Sequence, residues 1–483
     1  MSFTSLQYFL FLALTAILCY RLTPRRRNPL LLVLSLGFYA AFGPQHLPFL
    51  IASVGLSYAA GRLIETAPDK NRRIRLAAAL VLNLGLLFFF KYFNFFAELV
   101  MSMFAPQRVS AGDRVLNLIL PVGISFFVFQ TTGYLMDVYR GKIKAERNFI
   151  DYALFACYFP GIVSGPIQRA GTMLPQYKKP SVWDFEHIKA GFLQFLWGAF
   201  KKLVIADRIA VLVNTAYAAP AEHAGLPLLF AAVCYSVQIY CDFSAYSDMA
   251  IGSSRMLGIE LMRNFDRPYA AVSMQDFWRR WHISLSTWFR DYLYFPLGGS
   301  RCTKARNYLN IIIVFLVSGL WHGAALTFIV WGLLHGVFQV IGKLTQPYRD
   351  GLRRSLHIAE AGRLSLLIKR SCTFALVTLA WVFFRADSLS AAIGILSGIF
   401  AAPWTLGSLT ALGLSVPALF VLLLSVLTLF TADWANDRYK LSDKLCAAVT
   451  PRFVVYLVLF AAILLFGNYG AGFDPMDFVY FKF

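Results

Sequence analysis

His282, His322 and His335 are three of the seven histidines in this 483-residue chain, and each stands among apolar residues, in RRWHISLS, SGLWHG and WGLLHG. A titratable ring in such surroundings is costly unless it has a partner or a task. The task within reach of an imidazole is proton transfer, because its ordinary titration range lies close to neutrality. Metal binding is a poorer fit. The pairs His282/His322 and His322/His335 lack short ligand spacing, and no cysteine pair stands near them, so no metal is expected. The chain carries no G-x-x-x-x-G-K-[ST] loop, no H-E-x-x-H pair and no G-x-S-x-G elbow. A blander reading stays open for His282, that of a core histidine hydrogen-bonded to a carbonyl. For His335, beside Gly332-x-x-x-Gly336, a helix-packing role is the better reading.

These rings need elements to hold them. From Ser273 the run SMQDFWRRWHISLSTWFRDYLY has the period of one amphipathic helix, opened by a capping box of Ser273 and Asp276. Trp278, Trp281, His282, Leu285, Phe289 and Tyr292 fall on one face, and Arg279, Arg280, Ser286, Thr287, Arg290 and Asp291 on the other. The run stops at Pro296-Leu297-Gly298-Gly299. Such a helix suits a membrane interface or a dip into the bilayer. The segment from Asn307 to Gly342 is too long for one crossing of a core about 30 Å thick and slightly short for two crossings of about 20 residues. Its break falls at Gly319–Ala325, around His322, and both flanks are basic. It therefore reads as a hairpin with His322 at the tip and both ends in the cytoplasm.

The rest of the chain explains why. It is 58% hydrophobic and 14% charged, which marks an all-α polytopic membrane protein. The net charge of +20 does not indicate nucleic acid, because Lys and Arg sit in short loops between apolar spans and obey positive-inside topology. Seven scattered cysteines argue against a disulfide framework. Met1–Tyr20 lacks a basic leader and fits a first span, followed by Arg21, Arg25, Arg26 and Arg27. Further spans are expected at Leu30–Phe42, Leu47–Leu63 and Leu76–Met103, the last interrupted by Lys91. Lys91 either snorkels to an interface or pairs with a carboxylate. Gln130, Thr131, Thr132 and Asp137 interrupt the apolar run after Pro121, which should face protein or a cavity. The Pro and Gly of FPGIVSGPIQR forbid a regular helix, giving a re-entrant or interfacial turn. Lys201, Lys202, Asp207 and Arg208 break the apolar run Phe192–Val213, giving a bent or partly interfacial helix.

Asp242 and Asp248 lie in or at the end of the run Leu226–Leu257, and an intramembrane carboxylate is a candidate for function. The other reading is an anchor for an arginine such as Arg279 or Arg290. Spans near Ile368–Phe384, Ala391–Phe400, Leu412–Phe430 and Val454–Phe466 complete about 11 crossings, before a short aromatic tail, FDPMDFVYFKF. No linker or internal repeat divides residues 1–483, so one domain is expected, densest in motifs over 121–342.

Five runs carry a resemblance: LPVGISFFVFQTTGYLMDVYRG, FPGIVSGPIQR, QIYCDFSAYSDMAIG, NFDRPYAAVSMQDFWRRWHISLSTWFRDYLYFPLGGSR and SGLWHGAALTFIVWGLLHG. With the opening spans, LGLLFFFKYFNFF and the terminal DFVYFKF, they make nearly the whole chain resemble the membrane-bound O-acyltransferase (MBOAT) family. The similarity is to its bacterial branch of alginate O-acetyltransferases and related polysaccharide-acetylation proteins. Cys241 and Ala245 depart from the branch's usual aromatic and glycine.

The resemblance implies a helical shell with re-entrant elements around a central tunnel in the bacterial inner membrane. It implies an acyl thioester donor, acetyl-coenzyme A or another, entering from the cytoplasm, and no bound cofactor. His322 matches the family's essential histidine and would be the general base on an acceptor hydroxyl; His282 matches the second histidine and would orient the thioester or hydrogen-bond its carbonyl. Arg279, Arg280 and Arg290 would meet coenzyme A phosphates or simply form a basic surface. Trp278, with Trp281 and Phe289, would line the tunnel, and Asp242 is the remaining substrate-side candidate. Membrane lipid, a polysaccharide acceptor and a separate periplasmic hydrolase-like acetyltransferase are the partners implied. Two rival readings remain: a transporter using His282, His322 and Asp242 as a proton relay, and a non-catalytic scaffold for an export complex.

Overall fold

The computed structural model describes residues 1–104, 116, 118–357, 359, 362–402 and 404–468. The aromatic tail from Phe473 lies outside them. Among the described residues every regular element is helical and no β-strand occurs. Seven helices among the described residues are long and apolar enough to cross a membrane: those within 44–65, 69–98, 226–256, 326–344, 363–385, 416–439 and 449–466. These seven long spans are part of the expected set of about 11 crossings, and shorter apolar helices such as Leu6–Arg21 and Leu389–Gly398 accompany them. The helix Leu226–Met256 is the buried one, with 78% of its most apolar stretch covered by protein, against 17% for Val416–Tyr439 and for Val449–Phe466. Those two show most of their apolar side chains to lipid.

The described chain clusters into two compact units. The first comprises Met1–Phe195 with Met249–Met262. Its helix Ile124–Tyr139 is buried from Ile124 to Leu135, as its polar residues require. Asn83 donates to Thr131 Oγ1 at 2.8 Å and accepts from Ser53 Oγ at 3.0 Å, and Gln130 donates to the Phe155 carbonyl. Lys91 Nζ donates to Ser125 Oγ at 3.2 Å. The Pro- and Gly-rich segment 158–169 is non-helical and almost wholly buried. Arg27, counted above among loop charges, is only 1% exposed and lies within the helix Pro24–Ala40. Its guanidinium donates to the carbonyls of Tyr177 and Lys179 and to Ser181 Oγ.

The second unit comprises Leu196–Asp248 and the chain from Arg263 onward. Here Lys201–Ala206 forms a π-helical turn between the helices Phe185–Phe200 and Asp207–Ala218. The extra residue in a π turn rotates side chains out of helical register. It lets the adjacent Lys201 and Lys202 both turn inward, where they are 2% and 1% exposed. Lys201 bonds Asp248 and Ser244, each at 2.6 Å. Lys202 bonds Asp242 at 2.7 Å and Asp207 at 2.9 Å. The run expected to be interrupted near Lys201 thus carries a π turn there, and its two lysines are held by ion pairs.

Candidate active site

All three histidines lie in the second unit. His322 ends the helix Lys304–His322, and the return helix Leu326–Leu344 starts after three residues. Each helix has 19 residues, hence about 28 Å of rise, close to the thickness of the hydrocarbon core. Glycines allow their close antiparallel packing. A Cβ on Gly319 would sit 2.3 Å from the Phe328 carbonyl oxygen, and one on Gly332 would sit 2.3 Å from that of Phe315. Gly336 faces Ile312 in the same seam. The hairpin and its tip histidine stand as the segment length required.

At the tip His322 is 2% exposed. Its ring centroid lies 4.8 Å from Trp321, 4.9 Å from Trp331 and 5.3 Å from Phe384. His335 lies on the far side of the same Trp331, at 4.9 Å. Trp278 Nε1 donates to His335 Nδ1 at 3.3 Å. An indole nitrogen can only donate, so Nδ1 of a neutral His335 holds the lone pair and Nε2 the hydrogen. Trp278 and His335 therefore serve each other, consistent with a packing role for this histidine.

His282 is where the expected continuous helix gives way. Met274–Arg280 and Ile283–Phe289 are separate short helices, and a π turn, Arg290–Tyr294, follows. The Ser273 cap is present: its hydroxyl accepts from the Asp276 amide at 3.1 Å. Between the two helices His282 takes φ +44°, a left-handed conformation rare for a side-chain-bearing residue. The amides and carbonyls freed at this break are met by the segment 264–266. Ile283 N–H donates to the Asn264 carbonyl at 2.9 Å, and Asp266 N–H to the Arg280 carbonyl at 2.9 Å. The face assignment survives the break, because Trp278, Trp281, His282, Leu285, Phe289 and Tyr292 are all buried while Arg279 and Arg290 are exposed. Burial pushes the Asp266 carboxyl up, but Arg263, Arg267 and Arg280 outweigh it and hold that group below its ordinary range.

The His282 ring meets Phe243 at 4.7 Å and Trp321 at 6.0 Å. His282 and His322 thus both border the Trp321 indole, and the two halves of the motif-rich stretch converge there. The Asn264 side chain reaches His282 Nδ1 at 3.1 Å and is itself tied to Ser247 and Ser284. Sequence reasoning did not single out Asn264, Ser247 or Phe243; their only signal was membership in the long matching runs. Asp242, next to Phe243, pairs with Lys202, so its anchor is this lysine and not Arg279 or Arg290. Arg290 pairs with its neighbour Asp291 at 2.9 Å.

Residues 142–384, which contain every group just described, match the membrane-bound O-acyltransferase family, MBOAT. The chain belongs to that family. This MBOAT protein is 37% identical to a probable alginate O-acetylase of Azotobacter vinelandii, over 86% of its own length and 81% of the relative's. It is 37% identical to a peptidoglycan O-acetyltransferase of Helicobacter pylori, over 82% of its own length and 79% of the relative's. A teichoic acid D-alanyltransferase of Bacillus subtilis is 31% identical over 46% of this chain and 58% of that one. This MBOAT protein is a membrane O-acyltransferase and a multi-pass protein of the bacterial inner membrane.

Proposed function

We propose that the protein passes an acetyl group from a cytoplasmic thioester, such as acetyl-coenzyme A, to a periplasmic acceptor for O-acetylation of a cell-surface or exported polysaccharide such as alginate. One observation carries this reading: the tip histidine of a membrane hairpin and a second buried histidine border one indole, each at the end of a helix. The relatives named for O-acetyl transfer to alginate and to peptidoglycan support acetyl as the group and an envelope polymer as the destination. His322 acts as general base. It takes the proton of the acceptor hydroxyl as the oxygen bonds the acyl carbon; the C–S bond breaks, and the proton ends on the thiolate. His282 assists.

The exposed Arg279 and Arg290 meet the donor's phosphates, and buried Trp278 forms the wall of the donor path. Asp242, engaged by Lys202, holds the helix that presents Phe243 to His282. The whole chain works as one domain around a tunnel. In it shorter helices, among them Leu6–Arg21, Pro24–Ala40 and Lys304–His322, add to the seven long spans to make up about 11 crossings. A periplasmic hydrolase-like acetyltransferase completes delivery to the polymer.

The test is the acetyl content of surface polysaccharide in cells carrying wild type, His322→Ala or His282→Asn at matched membrane levels. Loss of acetylation in His322→Ala is expected. Undiminished acetylation in both variants would rule out catalysis by this pair.

A further inference from the structure

Three polar groups crowd one oxygen of Asn264. Its Oδ1 lies 3.2 Å from the Ser284 backbone N–H, 2.9 Å from Ser284 Oγ and 3.1 Å from His282 Nδ1. Its Nδ2 donates to Ser247 Oγ at 3.1 Å. An amide side chain can usually be turned end for end without changing its shape, which leaves its partners' protonation undecided. Here it cannot. The Ser284 backbone N–H is a donor under all conditions, so the atom facing it must be the oxygen. That oxygen also faces His282 Nδ1 and has no hydrogen to give, so Nδ1 carries one. In the neutral ring the lone pair is then on Nε2.

The surroundings hold this arrangement still. Asn264, Ser247, Ser284 and His282 are each at most 2% exposed. The backbone of Asn264 also receives Ile283 N–H, so main chain and side chain both grip the break at His282. A left-handed, non-glycine residue fixed from two sides is the kind of local strain that persists where a side chain must be aimed.

We infer that Asn264 is a positioning residue that locks His282 as the Nδ1–H tautomer, so that His282 serves acyl transfer as a proton acceptor at Nε2 and not as a hydrogen-bond donor to the thioester carbonyl. This deepens the proposed function and rests on it. His322 takes the proton of the acceptor hydroxyl, His282 Nε2 receives it in turn, and it is delivered to the thiolate sulfur as the C–S bond breaks, leaving both rings neutral.

Asn264→Asp tests this, because it keeps the shape and the acceptor oxygen but places a carboxylate on Nδ1–H. That charge favours the imidazolium and raises the pH at which His282 loses its proton. The readout is kcat/KM for coenzyme A thiol release and polymer acetate, from about pH 5 to 9, in permeabilised membranes of polysaccharide-producing cells supplied with acetyl-coenzyme A. A proton acceptor must be neutral to work, so the acidic limb of the Asn264→Asp profile is expected to move up by about one pH unit or more. Asn264→Leu removes the lock and is expected to lower kcat about a hundredfold or more with KM little changed. A shift of the alkaline limb instead would make His282 a donor and overturn the inference. A profile superimposable on wild type would overturn it too, and because Asn264→Asp is close to isosteric, misfolding of the leucine variant cannot hide that result. If wild type itself moves no acetyl group, the proposed function fails and takes this inference with it; if wild type is active and Asn264→Asp is unshifted, the inference alone fails.

Discussion

At the scale of the residue, His282 does two things at once, and an experiment must separate them. Its ring faces Phe243 and Trp321 while its backbone turns left-handed. Alanine tolerates that backbone worse than asparagine, by about 1 kcal/mol. His282→Asn is therefore expected to keep a thermal midpoint near wild type while acyl transfer is lost, whereas His282→Ala loses some of both. Differential scanning fluorimetry in detergent beside the acetylation assay checks the pair. Trp278 offers the converse case. Trp278→Phe deletes the only hydrogen bond described for His335 and leaves a buried nitrogen without its donor. It should destabilise by about 1–3 kcal/mol while transfer falls less than tenfold. A larger loss of transfer at unchanged stability would place His335 in the chemistry. None of these partnerships was readable in the sequence. A lone histidine on an apolar face signals that it needs a partner but not which one; Asn264 is 18 positions away and Trp278 is 57 from His335.

At the scale of the element, the hairpin was legible and the break was not, for one reason. The hairpin is a local matter of length, flanking charge and glycine spacing. Gly319→Val would drive a methyl-bearing carbon into the Phe328 carbonyl, a main-chain atom that cannot swing away. It is expected to lower the yield of folded protein or cost about 1–3 kcal/mol or more. Gly342→Ala, on the return helix with nothing within 4 Å, should be neutral or stabilising by up to about 1 kcal/mol. Equal effects at both positions, read as folded yield by size-exclusion fluorescence, would sink the close-packing account. The run from Ser273 looked like one helix because its apolar period stays nearly in register across Trp281 and His282. What ends the first helix is hydrogen bonding supplied by Asn264 and Asp266, a tertiary influence that periodicity does not contain.

At the scale of the molecule, composition fixed the class: an all-helical protein of the inner membrane with lipid-facing apolar surfaces. The number of crossings was less accessible, because several helices are too short or too charged to count by length alone. The buried ion pairs were out of reach as pairs, though each member stood out as a charge within an apolar run. They lead to a prediction. Lys202→Met leaves Asp207 and Asp242 buried without their cation and should cost about 3–5 kcal/mol. Adding Asp207→Asn and Asp242→Asn should restore most of the midpoint, since a neutral, hydrogen-bonded interior does not need the charge. No recovery in the triple variant, measured by thermal melting of the purified chain, would show that the lysine acts through something other than these carboxylates.

Arg27 has a consequence for how the orientation of this protein is tested. Orientation signals are usually probed by neutralising the basic residues of a loop one at a time and asking which change lets a span insert backwards. At the start of the same helix as Arg27, Arg25 and Arg26 are exposed, so their neutralisation bears on insertion. Arg27 is bolted through its guanidinium to Tyr177, Lys179 and Ser181, about 150 residues downstream. Its removal would leave the insertion signal of its neighbours in place yet deprive the finished protein of a latch that only closes after later helices have been made. A defect seen at Arg27 but not at Arg25 or Arg26 would thus be a late assembly failure, and reading it as a topogenic signal would assign it to the wrong stage of biogenesis.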